Sequence, residues 1–401
     1  MRRMICSILC VIMLSVFLTA CSETGRDHGT GTADPINTGS GGMEQKSEYL
    51  KHLEEKYADY TEVPYGLDIT KKTDIVSICY STWFTKILGP GRGEPKAPPN
   101  ITEILAGNGE WGGVPAFHYW GKPAVGYYRS DDKEVIRTHM TQLAEAGVDF
   151  IIIDNTNASV GWKPSGDWRL FITLPCTAIL DTIVEMRAEG KQTPYVVFWS
   201  SVNTEKGWGV MEETYEQFYT EEKWKDCFVY WEGKPFAIAT DIVDNPPETF
   251  TIRKMWGLRP SPEKEEWSFL NVENVPTYDQ DGFVEQTCVC CACQETYMSA
   301  PTAHGRNHGI FFYEQWKRAF DFRPKVITLT WWNEWAAQRF YIESGPYAGQ
   351  YHFTDNYNMD YSRDIEPVEG GHGDQYYQWM KEYIRAYRTG ENCPRLVEAG
   401  Y

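Results

Sequence analysis

What this chain lacks narrows the field first. No G-x-G-x-x-G and no G-x-x-x-x-G-K follows any apolar run, so the glycine cradles that hold dinucleotide and nucleotide phosphates are missing. Positive charge is scarce. The 38 Lys and Arg stand against 56 Asp and Glu, a formal net charge of −18, and such a surface repels phosphate backbones; nucleic acid is not an expected partner. Two overlapping C-x-x-C spacings occur in Cys288-Val-Cys290-Cys291-Ala-Cys293, but no second ligand pair matches them, so no zinc site is expected. In an apolar strand these thiols act as small hydrophobes, with a disulfide from one of them left open. The acidic stretch 360–374 does not follow an EF-hand pattern. Neither metal nor organic cofactor is expected. No internal repeat is visible, and the one long apolar run, Ile5 to Ala20, is short for a bilayer span.

That run is N-terminal and follows Arg2 and Arg3. It ends in Leu18-Thr19-Ala20-Cys21, which resembles a bacterial lipobox. The resemblance implies cleavage before Cys21 and lipidation of that residue. Residues 1–20 are then a signal peptide. Residues 21–43, rich in Gly, Thr, Ser and Asp, form a flexible tether that cannot repay its ordering entropy. Residues 44–395 form one folded domain. The expected location is extracytoplasmic, on the bacterial cell membrane through the lipid anchor alone.

Within that domain strand and helix signals alternate. Asp74–Tyr80, Val148–Asp154, Tyr195–Ser200 and Lys325–Trp332 read as buried parallel strands, and Phe228–Ala239 as a hairpin turning at Glu232-Gly233. Weaker strands fall near 250–254, 267–272 and 284–291, and Ala124–Tyr128 is short and strand-like. Helices are expected over 44–60, from Ser130 as cap to Ala146, and over 175–189, 211–224, 310–320 and 374–389. About eight core strands with interposed helices point to an α/β fold, a (β/α)8 TIM barrel, over the doubly wound rival.

Polar groups gather at strand ends: Asp154-Asn155-Thr156-Asn157, Trp199-Ser200-Ser201-Val-Asn203, Glu285-Gln286 with Gln294-Glu295 at the far end of the Cys strand, and Trp332-Asn333-Glu334-Trp335. In a barrel the C-terminal strand ends share one mouth, so these side chains would converge there. Glu334 ends an apolar run among three Trp, where an acid can work and pyranose rings can stack. Glycoside cleavage usually needs two carboxyl groups. Glu334 is the first candidate and Asp154 the second, with Glu343, Asp364 and Glu366 in competition. Loop 360–374, with Arg363, Asp364, Glu366 and His372, reads as a lid or site loop, or as a solvated surface loop, with calcium held by its oxygen ligands as a third reading. His118, Trp120 and Tyr128 are further substrate-binding candidates; a structural role for His118 stands beside that one. The 16 Trp and 25 Tyr fit either a carbohydrate-binding surface or a large aromatic core.

Several stretches together resemble glycoside hydrolase families 99 and 71, endo-acting α-mannosidases and α-glucanases. They are Trp120-Gly-Lys-Pro-Ala-Val-Gly-Tyr-Tyr-Arg-Ser-Asp-Asp-Lys-Glu-Val-Ile-Arg-Thr-His139, Ala146-Gly-Val-Asp-Phe-Ile-Ile-Ile-Asp154, Gly233-Lys-Pro235 and Asn333-Glu334-Trp335, spread over residues 74–390. The resemblance implies a (β/α)8 barrel that cleaves an oligo- or polysaccharide. It further implies, from family 99, a 1,2-anhydro sugar route in which one carboxylate deprotonates the 2-hydroxyl and another protonates the leaving group. Family 99 carries a second Glu three positions after the first. Here that position is Ala337, so Glu334 carries over and its partner does not. A non-catalytic glycan-binding lipoprotein is therefore the alternative.

Overall fold

The computed structural model describes residues 41–84, 99–114, 116–158, 168–257, 266–294, 303–355 and 358–397. The signal segment, Cys21, most of the tether and Glu295 lie outside the described residues. Helix α1 (Gly41–Lys56) already starts inside the stretch assigned to the tether.

Six strands carry the architecture: β2 (Ile75–Tyr80), β4 (Phe150–Asn155), β5 (Tyr195–Ser200), β7 (Lys234–Ala239), β10 (Val284–Cys290) and β11 (Val326–Thr330). With β8 (Thr251–Lys254) they form a parallel run in the order β8-β7-β5-β4-β2-β11-β10. The first of these strands in the chain therefore lies beside the last, as sequential winding of a curved sheet requires. Shorter strands extend the edges: β1 (Leu67–Asp68), β6 (Val229–Trp231), which makes the expected hairpin with β7, and β9 (Thr277–Tyr278). Glu232 and Gly233 take φ of 55° and 79°, the left-handed pair that such a two-residue turn demands.

Where an eighth strand was expected, at 267–272, only a bridge forms. Trp267 pairs with Met255, next to β8. On the other side the Gln286 side chain takes the place of a ladder: its amide oxygen accepts from the Ser268 N–H at 2.7 Å and its amide nitrogen donates to the Ser268 carbonyl at 3.0 Å. The result is a mixed α/β fold around a mostly parallel central sheet.

Alternation along each strand divides the core in two. Ile75, Cys79, Phe150, Ile152, Val197, Trp199, Phe236, Ile238 and Val326 pack together inside the curved sheet. Val76, Ile78, Ile151, Ile153, Val196, Phe198, Ile327 and Leu329 face the helices. Those helices are α3 (Lys133–Ala146), α4 (Leu174–Ala188), α5 (Gly209–Thr214), α6 (Ile310–Phe322) and α7 (Gln375–Thr389), while the short α2 (Ile101–Leu105) packs with Phe84, Tyr119 and Trp120 in a separate cluster.

Several local expectations shift. Asp132, not Ser130, caps α3, accepting from Glu134 and Val135 N–H; Ser130 Oγ instead accepts from Phe84 N–H. The predicted helix 211–224 breaks into α5, a π-turn (215–219) and a 3₁₀ turn (222–227). Residues 124–128 form turns, with Gly126 at φ 82°. Cys288, Cys290, Cys291 and Cys293 are fully buried free thiols.

A three-stranded sheet, β13 (Tyr351–Phe353), β12 (Ala336–Tyr341) and β3 (Phe117–Tyr119), stands apart from the main one. Its middle strand begins just after Glu334.

Candidate active site

Asp154 shares strand phase with Phe150 and Ile152, so its carboxyl caps the inner core of the sheet. Its register partner on β5 is Trp199. Trp331 joins the same inner cluster from the end of β11. Together with Glu334, Asp355, Arg363, Trp83, Trp256 and Phe269 they line a solvent-open cleft of about 110 Å³. Three carboxylates therefore face one aromatic-walled hollow.

The cleft's one described cation is Arg363, whose side chain is 1% exposed. Its Nε donates to Glu334 Oε2 at 3.0 Å, and its Nη2 reaches both Glu334 Oε2 and, at 3.3 Å, Asp355 Oδ1. The two carboxylates are 14% and 24% exposed, so their ends meet the opening while the guanidinium stays behind them. Burial pushes both carboxyls up, and Arg363 pulls both down. One guanidinium balances only one carboxylate, so the pair as a whole is raised and retains a proton above the ordinary carboxylate range. Asp154 meets no cation among the described residues. Burial raises it to about 6, offset by the Thr156 N–H donated at 2.8 Å and helped by the charge on Asp355.

The other predicted residues lie elsewhere, for two reasons. The first is phase. Asn155 and Trp332 are one residue out of step with Asp154 and Trp331 and fall on the buried outer side of the sheet. The second is internal pairing. Asn333 accepts from Ser81 N–H at 2.8 Å and donates to Ser81 O at 3.1 Å, fixing the strand end. Trp335 stacks on Trp120 with centroids 4.9 Å apart. His118 sets both ring nitrogens against carbonyls, of Ala116 at 3.0 Å and Trp111 at 2.8 Å. Tyr128 donates to Glu366 at 2.8 Å, and Trp120 donates to Asp364. The His372 ring packs on Tyr376, and burial with the nearby Arg306 pushes it down to about 3, so it stays neutral. None of these lines the cleft.

Loop 360–374 is not a lid over its length. Ser362 to Glu366 is buried and runs beside the end of β11: Trp331 N–H donates to Arg363 O, and Glu366 N–H to Trp332 O. Asp364 is pushed up to about 7 by burial, with Arg306 pulling the other way. Asp355 was not singled out by the sequence. It follows a strand outside the main sheet, at a φ of 69°, and no local signal marks it.

A larger cavity of about 490 Å³ lies between α1 and the β8–β10 side. Its charged groups already satisfy one another: Arg253 grips Glu285 through two bonds of 2.6 and 2.9 Å, and Lys254 meets Asp241 at 3.1 Å. The smaller cleft holds the under-neutralised acids and is the better chemical candidate.

No family model and no curated protein matches the chain. Solved structures do. A GH99 (glycoside hydrolase family 99) endo-α-mannosidase from Bacteroides thetaiotaomicron superposes with a TM-score of 0.51 at 13% identity, covering 79% of this chain and 98% of that one. The same enzyme in complex with bis-tris-propane gives a TM-score of 0.49 at 11% identity, covering 79% and 98%. A glycoside hydrolase-like protein gives 0.42 at 12%, covering 83% and 99%. At such identity the likeness is one of fold: the chain has a GH99-like fold.

Proposed function

We propose that this chain is a glycoside hydrolase whose reaction centre is the cleft of Asp154, Glu334 and Asp355. The observation that carries this is the imbalance: three carboxylates share a tryptophan-walled hollow with one buried guanidinium. Indole faces suit the apolar face of a pyranose, and acids that are hard to ionise suit proton transfer near neutrality. Asp154, raised to about 6 and with no cation beside it among the described residues, is the proton donor to the leaving glycosidic oxygen. The Glu334–Arg363–Asp355 group keeps one carboxylate charged. That charge serves as base, or faces the cationic character that develops at the anomeric carbon. The substrate is an oligo- or polysaccharide, and the scaffold is a (β/α)8-type barrel, a reading supported by β2, the first strand of the parallel run, lying beside β11, the last.

Asp154→Asn and Glu334→Gln are each expected to lower turnover of a cleaved glycan by about 10³-fold while the fold persists. The check is product chromatography over a panel of neutral α-glycans. Unchanged turnover in both variants would overturn the assignment.

One observation favours a second reading, glycan capture without cleavage. Glu334 is held by Arg363 through more than one hydrogen bond, as a structural ion pair is, and Ala337 stands where family 99 has its second Glu. Tight binding with no product over long incubation would select it.

We further propose surface anchoring through lipidated Cys21, from the lipobox-like Leu18–Cys21. Cys21→Ser should abolish incorporation of labelled fatty acid; incorporation that persists sinks the anchor.

A further inference from the structure

The β12–β13 hairpin grows out of the cleft. Glu334 lies two residues before β12, and Asp355 two residues after β13. Both carboxylates meet Arg363, so the two stems of the hairpin are fastened at the cleft rim by one buried guanidinium.

From that rim an aromatic stripe runs outward. Tyr341 and Tyr351 are direct cross-strand partners, so their side chains share a face of the ribbon. Their ring centroids lie 5.2 Å apart, tilted by 59°, which leaves ring faces turned to solvent rather than on each other. They are 46% and 50% exposed, side by side on the ribbon. Behind them the Arg339 guanidinium sits between two rings, 3.8 Å from the Tyr351 centroid and 4.8 Å from that of Trp111. Trp111 in turn meets Phe353 at 5.7 Å. No carboxylate pairs with Arg339 among the described residues. Arg339 is itself buried, so the stack acts as a support that holds the Tyr351 ring in place from behind. The Tyr pair lies five residues beyond the start of β12, about 17 Å along the ribbon.

We propose that this face of the β12–β13 hairpin is an accessory binding surface for a neutral polysaccharide chain, lying outside the cleft and continuous with its rim. Exposed ring faces take pyranose faces, and the buried Arg339 stack fixes the Tyr351 ring for that contact. The chain's net charge of −18 disfavours a polyanionic glycan. The inference rests on the glycan-directed reading of the cleft and deepens it: a surface reaching this far from the reaction centre is useful only for chains much longer than the cleft holds.

The test is affinity electrophoresis of the full chain, carrying Glu334→Gln so that any turnover is stopped, through gels with α-mannan, dextran or polygalacturonate. Isothermal titration with a neutral trisaccharide of the retained polymer reports the cleft separately. The added substitutions are Tyr341→Ala with Tyr351→Ala, Arg339→Gln, and Trp199→Ala in the cleft. Loss of two half-exposed rings should weaken polymer binding by about 10-fold and leave trisaccharide affinity and thermal stability unchanged. Trp199→Ala should do the reverse, reducing trisaccharide affinity most. Equal retention of the double Tyr variant overturns the proposal. So does wild-type hairpin sequence running free through both neutral gels, or retention by polygalacturonate alone. If Glu334 in place yields no products yet hairpin-dependent retention persists, the hydrolase reading falls and the accessory surface stands.

Discussion

Glu334 and Glu366 flank the same pair of backbone segments, and their surroundings are opposite. Glu366 is buried at 1% exposure and accepts from Tyr128 Oη at 2.8 Å and from the Trp335 indole, with His139 Nε2 at 2.9 Å. His139 faces the Tyr80 hydroxyl through its other nitrogen at 2.8 Å. Every group in that knot has a partner, and none faces the cleft. Glu334 shares one guanidinium with Asp355 and opens onto solvent. The lesson is that carboxylate density says little by itself. A satisfied buried network fixes geometry, and an unbalanced one at an opening is where chemistry becomes possible.

The two sites are also linked. Trp335 directly follows Glu334, and Glu366 lies three residues after Arg363, so the Glu366 knot clamps both segments that bring Glu334 and Arg363 together. Glu366→Ala would leave the Tyr128, His139 and Trp335 donors buried without their acceptor. The expected cost is about 3–5 kcal/mol of unfolding free energy, read by urea denaturation. A loss under about 1 kcal/mol would mean that water replaces the carboxylate at no cost, and the contrast drawn above would fail.

The sequence made the scaffold legible where period and turn chemistry agree. The strands at 75–80, 150–155, 195–200 and 326–330, the Glu232-Gly233 turn and helix α7 fall close to their predicted spans. Asp154 and Glu334 end strands of this kind, and the structure sets them in one cleft. Three things were beyond reach. Phase at a strand end decides whether a Trp faces the cleft or the core, and Trp331 and Trp332 differ by that alone. The acids of loop 360–374 read as exposed because their partners, Trp120, Tyr128 and His139, are remote in sequence. Asp355 arrives through a hairpin off the main sheet, so strand counting could not place it. Ser130 and Asp132 show the same limit locally: either can cap α3, and only the Phe84 contact takes Ser130 away.

The finest probe of the contrast is stability measured on the cleft acids themselves. The folded pKa of Asp154, about 6, lies above the ordinary 3.8. The folded state then holds that proton more tightly than the unfolded chain. The associated stability is fully present below pH 3.8 and is lost as pH rises through about 6. Asp154→Asn, which cannot ionise, should therefore be more stable than the parent above pH 6, with the advantage fading towards pH 4. Glu334→Gln should change stability by less than about 1 kcal/mol near neutrality, because the amide oxygen still accepts from Arg363 and Asp355 still supplies its countercharge. Both follow from urea titrations across pH. Should Glu334→Gln instead cost as much as Glu366→Ala, Glu334 is a structural ion pair of the same kind, and the cleft loses the acid on which a hydrolytic role depends.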